Sequence, residues 1–422
     1  MAYNDANDCW DYVSIMWNDL QAALFLVFKY ITRGSKGTTI LTILVTMLAF
    51  LQINLITSIF SGAINLAYKQ VKDNYVSNIV IQPASDEDYI TQASLVKSRI
   101  NSIPGVISCS SRYAMGAAIS YDPDKNGKDV KSIGWTIKSI DPDEERKVTN
   151  IQDYMIVGSY LEESDRDQII MGREISGGFG ASLEVQSLRG ANIGDEVTVQ
   201  YNNGIKRVYT IKGIYTTIFP LSDMGVFVTE KEMESVLGVH NRASEILVKT
   251  DPVYSEEYYM RELRLAGLDK QELRPWIDFI GLISGITQSF DIIKRIVYFI
   301  GLVVAGVTIF IVIFIATSSR RKQIGIMKAI GMKEKIVILS YVFLAFFYAS
   351  VAIGLGMLTL EYALKPYFIN HPLLLPMGNV SLLIIPADVI SSIVSMLAVS
   401  IVSGLIPSWS VTRENIIKAI WG

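Results

Sequence analysis

Cysteine and histidine are almost missing from this chain of 422 residues, which contains only Cys9, Cys109, His240 and His371. None sits at a metal-ligand spacing, so neither a disulfide framework nor a zinc or haem site is expected. Charge is scarce as well. Charged residues make up 19% against 50% hydrophobic, below the ~25% charge of ordinary soluble domains. The 41 acidic and 38 basic side chains leave a net charge of −3 and no strongly basic domain, so no nucleic-acid partner is expected. A G-x-x-x-x-G-K-[ST] loop is also lacking, and the chain therefore has no P-loop with which to cradle nucleotide phosphates. Gly34-Ser35-Lys36-Gly37 has no strand before it, and Gly177-Gly178-Phe179-Gly180 lacks the strand-to-helix register of a dinucleotide site. These absences predict a chain that is not an enzyme, with no catalytic, cofactor-binding or metal residues.

What is present is long apolar sequence. Gly37 to Tyr68, Ile296 to Ser319, Ile336 to Leu360 and Val389 to Thr412 contain no charged residue. Each is long enough to cross a hydrocarbon core of ~30 Å, which takes ~20 helical residues. Charge is divided to match: residues 69 to 291 hold 33 acidic and 24 basic side chains, net −9, and the remainder holds 8 and 14, net +6. Lys29, Arg33 and Lys36 precede the first span, and Arg320, Arg321, Lys322, Lys328, Lys333 and Lys335 lie between the second and third. Only Lys365 lies between the third and fourth. Basic loops mark the cytoplasmic side, which predicts both termini inside the cell membrane and the segment between spans one and two outside.

The first helix, from Thr38 to about Val76, would extend about 58 Å at ~1.5 Å per residue, beyond the bilayer core. An apolar stripe at Ile64, Tyr68, Val71 and Tyr75 continues past the membrane, and a second at Ile277, Ile280, Ile283, Ile286, Phe290 and Ile293 approaches span two. Two stalk helices packed together are expected. The outer segment reads as mixed α/β: strands at Ser77–Gln82, Val106–Arg112, Gln168–Met171, Glu196–Tyr201 and Lys206–Tyr215, with helices near Asp88–Ser102 and Tyr254–Ala266. Asn202-Asn203-Gly204 marks a hairpin. Asp122–Lys131 and Asp141–Lys147 read as solvated loops.

Two features of the spans bear on contacts. Gln52 and Asn54 are polar residues in the first span, suited to interhelical hydrogen bonds or to a cargo or partner contact. Ala345, Ala349, Ala352 and Gly356 form a small-residue seam on the third, compatible with packing within the subunit or across a dimer.

Between spans two and three, Arg320-Arg321-Lys322-Gln323-Ile324-Gly325-Ile326-Met327-Lys328-Ala329-Ile330-Gly331 interleaves apolar and basic residues, with Gly331 at a helix-ending position. This segment resembles the cytoplasmic coupling segment of the MacB, LolC/LolE and FtsX-like permeases, with Gln323 in place of the usual acidic residue. Ile140-Asp141-Pro142, Ile170-Met171-Gly172-Arg173-Glu174, Ile193-Gly194-Asp195-Glu196-Val197, Pro386-Ala387-Asp388-Val389 and Gly404-Leu405-Ile406-Pro407-Ser408-Trp409 follow the order of the LolC/LolE type.

The resemblance implies the permease subunit of an ABC transporter that works by mechanotransmission. Two copies of a separate ABC ATPase, which carries the ATP and magnesium, would press on Arg320, Arg321, Lys322, Gly325, Lys328, Ala329 and Gly331. A second permease copy would complete a homodimer or heterodimer, and the exterior domain would act on a lipid, lipoprotein or peptide, with membrane lipid and an exterior protein as further partners. An FtsX-like regulator of an exterior hydrolase and a receptor without an ATPase are the alternatives. The expected architecture is an α+β membrane protein: four transmembrane helices with a large extracytoplasmic mixed α/β domain between helices 1 and 2, carried on extended stalk helices. The expected divisions are an amphipathic cytoplasmic segment 1–37, helix 1 and stalk 38–76, two α/β lobes 77–167 and 168–274, and stalk and helix 2 at 275–319. A coupling helix 320–335, helix 3 at 336–360, an outer loop 361–388, helix 4 at 389–412 and a cytoplasmic C-terminus 413–422 complete them.

Overall fold

The computed structural model describes residues 4–180, 187–375 and 378–413, apart from the side chains of residues 4–18, Leu282, Ile283 and Ile286. Two compact units divide the chain, one of residues 1–62, 288–373 and 380–422, the other of residues 63–287 and 374–379. Helix α1 (Asn4–Arg33) opens the first. Its buried Ala23, Val27 and Tyr30 recur at intervals of four and three while Leu24, Phe25 and Phe28 stay exposed, the one-sided burial of an amphipathic helix. Helix α2 (Lys36–Gln70) continues as a π-helix over Val71–Val76, so the expected long first helix is present with a wider last turn.

The second unit is the inserted domain. It begins with β1 (Ile79–Gln82), β2 (Ile90–Thr91), α3 (Ala93–Asn101), β3 (Val106–Arg112), β4 (Ala114–Tyr121) and β5 (Lys131–Ile140). Helix α4 (Pro142–Val148), β6 (Met155–Gly158), β7 (Gln168–Gly172), α5 (Arg173–Ser176), β8 (Glu196–Tyr201), β9 (Lys206–Tyr215), β10 (Val226–Thr229) and α6 (Glu230–Leu237) follow. It ends with β11 (Arg242–Ala243), β12 (Glu245–Thr250), α7 (Glu256–Leu265) and β13 (Glu272–Pro275). Strands β8 and β9 have the bounds their sequence implies, and Gly204 turns between them at φ +87°, a conformation glycine adopts without steric cost.

The strands form a four-stranded sheet, β13-β1-β12-β3, and a seven-stranded sheet, β6-β9-β7-β10-β5-β4-β8. A further β8–β9 pairing closes β9, β7, β10, β5, β4 and β8 into a barrel whose core includes Ile119, Ile137, Val199, Tyr209 and Ile211. The expected lobes, 77–167 and 168–274, are not the ones adopted. Strands β12 and β13 return to pair with β3 and β1, and the 167/168 boundary falls inside the seven-stranded sheet, between β6 and β7, which both pair with β9. Long-range pairing of this kind leaves no mark on local strand patterns.

The solvated loop expected at Asp141–Lys147 is instead a capped helix. The Asp141 side chain accepts from the Asp143 and Glu144 backbone N–H groups, Pro142 occupies the first turn, and the acidic start and basic end suit the helix dipole. This helix delivers Glu145 into the interior, where it pairs with Arg112 at the end of β3; both side chains are buried. The Arg112 Nε donates to Glu145 Oε2 at 3.2 Å and Nη1 to the Tyr75 carbonyl at 3.1 Å, while Ser110 and Thr149 donate to the same carboxylate at 2.8 and 2.7 Å. Burial opposes ionisation of Glu145, but Arg112 and these donors outweigh it and hold the carboxyl below its ordinary range.

The two stalk ends meet within this unit, as expected: the Tyr68 ring lies edge-on to Trp276 at 5.9 Å, and Lys72 and the Trp276 indole both donate to Glu256, at 3.0 and 3.1 Å. The approach to the second span is not a continuous α-helix, however. Trp276–Ile283 is a 3₁₀-helix that begins directly after Pro275, a residue that cannot sit in a helix interior without breaking it. The stripe residues Ile283 and Ile286 lie outside the described side chains.

The membrane unit resumes with α8 (Ser284–Ser319), α9 (Arg321–Ala329), α10 (Glu334–Thr359) and a π-turn at Leu360–Leu364. Helix α11 (Lys365–Asn370), the short strands β14 (Leu373–Leu375) and β15 (Gly378–Val380), and α12 (Pro386–Thr412) complete the described chain. Among the described residues, four segments are long and apolar enough to cross a membrane: Lys36–Val76, Thr287–Ser319, Glu334–Asn370 and Pro386–Thr412.

Removing one partner of a buried ion pair leaves an uncompensated charge, at a cost of about 3–5 kcal/mol. Arg112→Met is expected to destabilise the inserted domain by that amount and Arg112→Met with Glu145→Met to recover most of it. Denaturant-dependent labelling of the buried Cys109 thiol, in a Cys9→Ser background, measures both. A single variant as stable as the parent would remove the pair from its structural role.

Glu230, at the start of α6, gives a pH dependence of opposite sign. Burial first, with the carboxylates of Asp141, Glu144 and Glu234 adding and Lys97 opposing, pushes its carboxyl up to about 7. A folded value above the unfolded one means that this contribution to stability is complete below about pH 4.3 and is lost as pH rises through 7. Glu230→Gln should flatten the fall in melting temperature between pH 5 and 8; a slope identical to the parent's would show that another group titrates there.

Candidate coupling site

The basic segment between the second and third spans folds as α9 and a tight exit. Gly331 takes φ +100°, its N–H donates to the Lys328 carbonyl at 3.0 Å, and the Met332 N–H donates to the Met327 carbonyl at 3.0 Å. This paired 5→2 and 6→1 pattern is the Schellman ending, and the apolar contact that accompanies it is supplied by Met327 and Met332, which pack on one cluster. The glycine is required here because L side chains rarely adopt that φ.

One side of α9 is fastened to the membrane unit. Ile324 is buried in a cluster with Val27, Tyr30, Ile309, Val337 and Leu344, and Gly325 is buried beside it. Lys328 donates to the Thr412 carbonyl at the end of α12 at 2.5 Å and pairs with Glu334 at the start of α10 at 2.7 Å. Its ammonium is 12% exposed, so its charge is committed within the chain. Arg320, which caps α9, places its guanidinium 4.3 Å over the Tyr30 ring, and Tyr30 stacks on Tyr341 at 5.1 Å. Arg321 is half-buried.

The other side is open. Lys322, Gln323, Ile326, Ala329, Ile330 and Gly331 are exposed, with Ile326 at 50% and Ile330 at 83%. Ile326 and Ile330 are four residues apart, on one helix face. Of the residues singled out from sequence, Lys322, Ala329 and Gly331 therefore share the open face, whereas Gly325 and Lys328 belong to the fastening. The apolar pair was not singled out, although its i, i+4 spacing among polar residues was the available signal. Nor was the ion pair from Lys333 to Asp19 of α1, at 3.0 Å, which ties the N-terminal helix to the start of α10.

The small-residue seam is occupied within the subunit. A methyl added at Gly404 of α12 would lie 2.8 Å from the Ala345 Cβ, and one at Gly356 would lie 2.5 Å from the Phe50 ring of α2. Ala349 and Ala352 are fully buried between them in sequence. Asn54 makes the expected interhelical bond: Ser392 of α12 donates to its Oδ1 at 3.1 Å, and its own amide donates to the Phe50 carbonyl at 2.9 Å. Gln52 points away from these contacts and is exposed. Among the described residues no group of histidine, cysteine, aspartate and glutamate is placed to hold a metal ion.

Residues 295–416, from α8 through α12, match the FtsX-like permease C-terminal family. Among solved structures, the chain is similar to the periplasmic region of MacB from Actinobacillus actinomycetemcomitans, at 10% identity over 51% of this chain and 94% of that one, with a TM-score of 0.35. It is also similar to the extracellular domain of the noncanonic ABC-type transporter YknZ from Gram-positive bacteria, at 12% identity over 47% and 98%, with a TM-score of 0.33. No curated protein matches significantly. The family match covers the same helices that hold α9, so the C-terminal part of the chain is similar to FtsX-like permeases, and the four segments of span length indicate a multi-pass membrane protein.

Proposed function

We propose that the chain converts ATP hydrolysis by a separate ABC ATPase into movement of its inserted domain, which extracts or exports an amphipathic lipid, lipoprotein or peptide. The observation that carries this reading is the two-sided α9. It presents Ile326 and Ile330 outward while Ile324 and Lys328 secure it to α10 and α12. A force on the open face would therefore reach the ends of two spans directly. Lys322, Ala329 and Gly331 contribute to the docking face; Arg320, Gly325 and Lys328 hold the helix in place, and half-buried Arg321 borders both. The nucleotide and its magnesium belong to the ATPase, in two copies, and a second permease copy completes the assembly. The exposed Gln52 is suited to that second copy, since a polar amide facing lipid is better satisfied by a neighbouring helix. The distribution of Lys and Arg supports a cell-membrane location with both termini cytoplasmic and the inserted domain outside.

Burying an exposed isoleucine contributes about 1.5–3 kcal/mol, roughly 10- to 100-fold in affinity. Ile330→Glu is expected to lower ATPase copurification and stimulated hydrolysis at least tenfold without changing the melting temperature, and Lys322→Glu to lower them less. Lys328→Gln should lower melting temperature and coupling together, because it frees α9 from α12. Lys365→Glu, which removes only an exposed pair with Glu361 one turn away, is the control expected to leave both unchanged. Full association in both Ile330→Glu and Lys322→Glu would overturn the docking face.

A further inference from the structure

Helix α1 buries one side and leaves another open. Val27 and Tyr30 pack in a cluster with Val337, Tyr341 and Leu344 of α10, and Tyr30 stacks on Tyr341, so the helix is fixed in place. Leu24, Phe25 and Phe28 stay exposed, both phenylalanines at 62%. At 3.6 residues per turn these three positions share one face, and the exposed Thr32 continues it. Lys29 and Arg33 follow Phe25 at four-residue steps along the edge of that face, and the Lys29 ammonium lies 5.5 Å over the Phe25 ring.

The surface that covers this face has to be apolar and anionic at once. Only Gly34 and Ser35 separate α1 from α2, so Arg33 lies within about 11 Å of the start of a segment of span length. Ile40, Leu41 and Leu44 are exposed on the first turns of that segment, which places hydrocarbon close to the open face of α1. Charge is equally one-sided. No acidic residue occurs between Asp19 and Asp73, while Lys29, Arg33 and Lys36 gather at the junction of the two helices. Arg320 adds a fourth cation, its Nη2 3.5 Å from where a Cβ on Gly34 would lie. Among the described residues none of these four is ion-paired, and Asp19, the acid nearest in sequence, is taken by Lys333. Arg33 and Arg320 suit the negative end of the α1 dipole. Lys36 has no such account: it begins α2, where the dipole disfavours a cation, and no acid shares that turn. A neutral leaflet would cover the phenylalanines and leave the cations without counter-charge; an acidic soluble protein would do the reverse.

We infer that α1 and its junction with α2 bind anionic phospholipid, with Leu24, Phe25 and Phe28 in the acyl layer and Lys29, Arg33 and Lys36 on the headgroup phosphates. A helix with a basic edge and an aromatic apolar face lies in a membrane interface in this way, and each basic residue near an anionic surface contributes about fivefold in affinity. The bound lipid would also brace the coupling helix, because Arg320, which begins α9, rests on Tyr30 of α1, and Lys333 at the start of α10 holds Asp19. This goes beyond the proposed function and does not depend on it.

The test uses the full-length chain in lipid nanodiscs, without the ATPase. A photoactivatable phosphatidylglycerol is expected to label residues 24–36 saturably, with plain phosphatidylglycerol competing at least tenfold better than zwitterionic phosphatidylethanolamine. Lys29→Gln, Arg33→Gln and Lys36→Gln together should lower labelling at least tenfold, and Lys365→Gln should leave it unchanged. Depth is read from an environment-sensitive dye on Thr32→Cys in a Cys9→Ser background, Cys109 being buried. Quenching by a phospholipid with a nitroxide on its acyl chain is expected, and Phe25→Ser with Phe28→Ser should lower it severalfold. This second readout keeps the test decisive if the triple charge variant folds poorly. Equal competition by the two lipids, parental labelling in the triple variant, or a dye shielded from water yet unquenched, as beneath a second copy or a protein partner, would overturn the inference.

Discussion

Much of the inserted domain depends on one buried ion pair. Arg112 leaves the end of β3 and reaches Glu145 on α4, the Tyr75 carbonyl at the end of the stalk, and Glu245 on β12 at 3.5 Å. Taking two charges out of water costs several kcal/mol per ion, and that cost is met only where each remaining donor and acceptor finds a partner. Here Ser110 and Thr149 complete the carboxylate and Tyr75 completes the guanidinium. The pair therefore ties stalk end, sheet and α4 into one arrangement in which all these groups are satisfied together.

The π-helical ending of α2 is part of the same constraint. A π-turn widens the helix and shifts backbone groups out of the usual i to i−4 ladder, and such turns occur often at functional sites. Val71–Val76 has this form, and Ser77 then leaves the helix at φ +59°, an uncommon conformation for a residue other than glycine. The result is a stalk end whose Tyr75 carbonyl accepts from Arg112 and whose buried Asn74 amide donates to Gln70 one turn back. A regular α-helix would have turned both toward different neighbours.

Much of this was legible in the sequence, for identifiable reasons. Charge-free runs of span length and the Asn202-Asn203-Gly204 turn are local signals, and the helices and the β8–β9 hairpin follow them closely. Asn54 was legible too, because a buried amide in a span must find a partner. The four-stranded sheet was not, since β12 and β13 lie far along the chain from β1 and β3, the strands they join. Glu145 was hidden by its neighbours: in the run from Asp141 to Lys147 a charged stretch looks solvated, and only the Asp-Pro start, an N-cap followed by proline, marked the helix that buries one of its acids. Lys328 was misleading in a related way. One lysine among several reads as surface charge, and nothing in its spacing points to the Thr412 carbonyl 84 residues away.

That lysine also bears on how α9 would transmit force under the proposed function. A helix held only by apolar packing can slide, because dispersion contacts are weak individually and tolerate displacement in small steps. A charge-assisted hydrogen bond at short range is directional and breaks over a fraction of an ångström. Helix α9 combines both: Ile324 is packed in the cluster, and Lys328 is bonded to the last turn of α12 and to Glu334 at the first turn of α10. The tie extends to the N-terminal helix, because Lys333, next to Glu334, pairs with Asp19 of α1. A displacement of the open face that keeps these bonds must carry the ends of α10 and α12 with it, and α1 through the same junction. The alternative is to break the bonds of Lys328, which is 12% exposed, and leave its charge unpaired. Under the proposed function, the chemistry of the fastening, more than the basic character of the segment, would suit it to convert docking into movement.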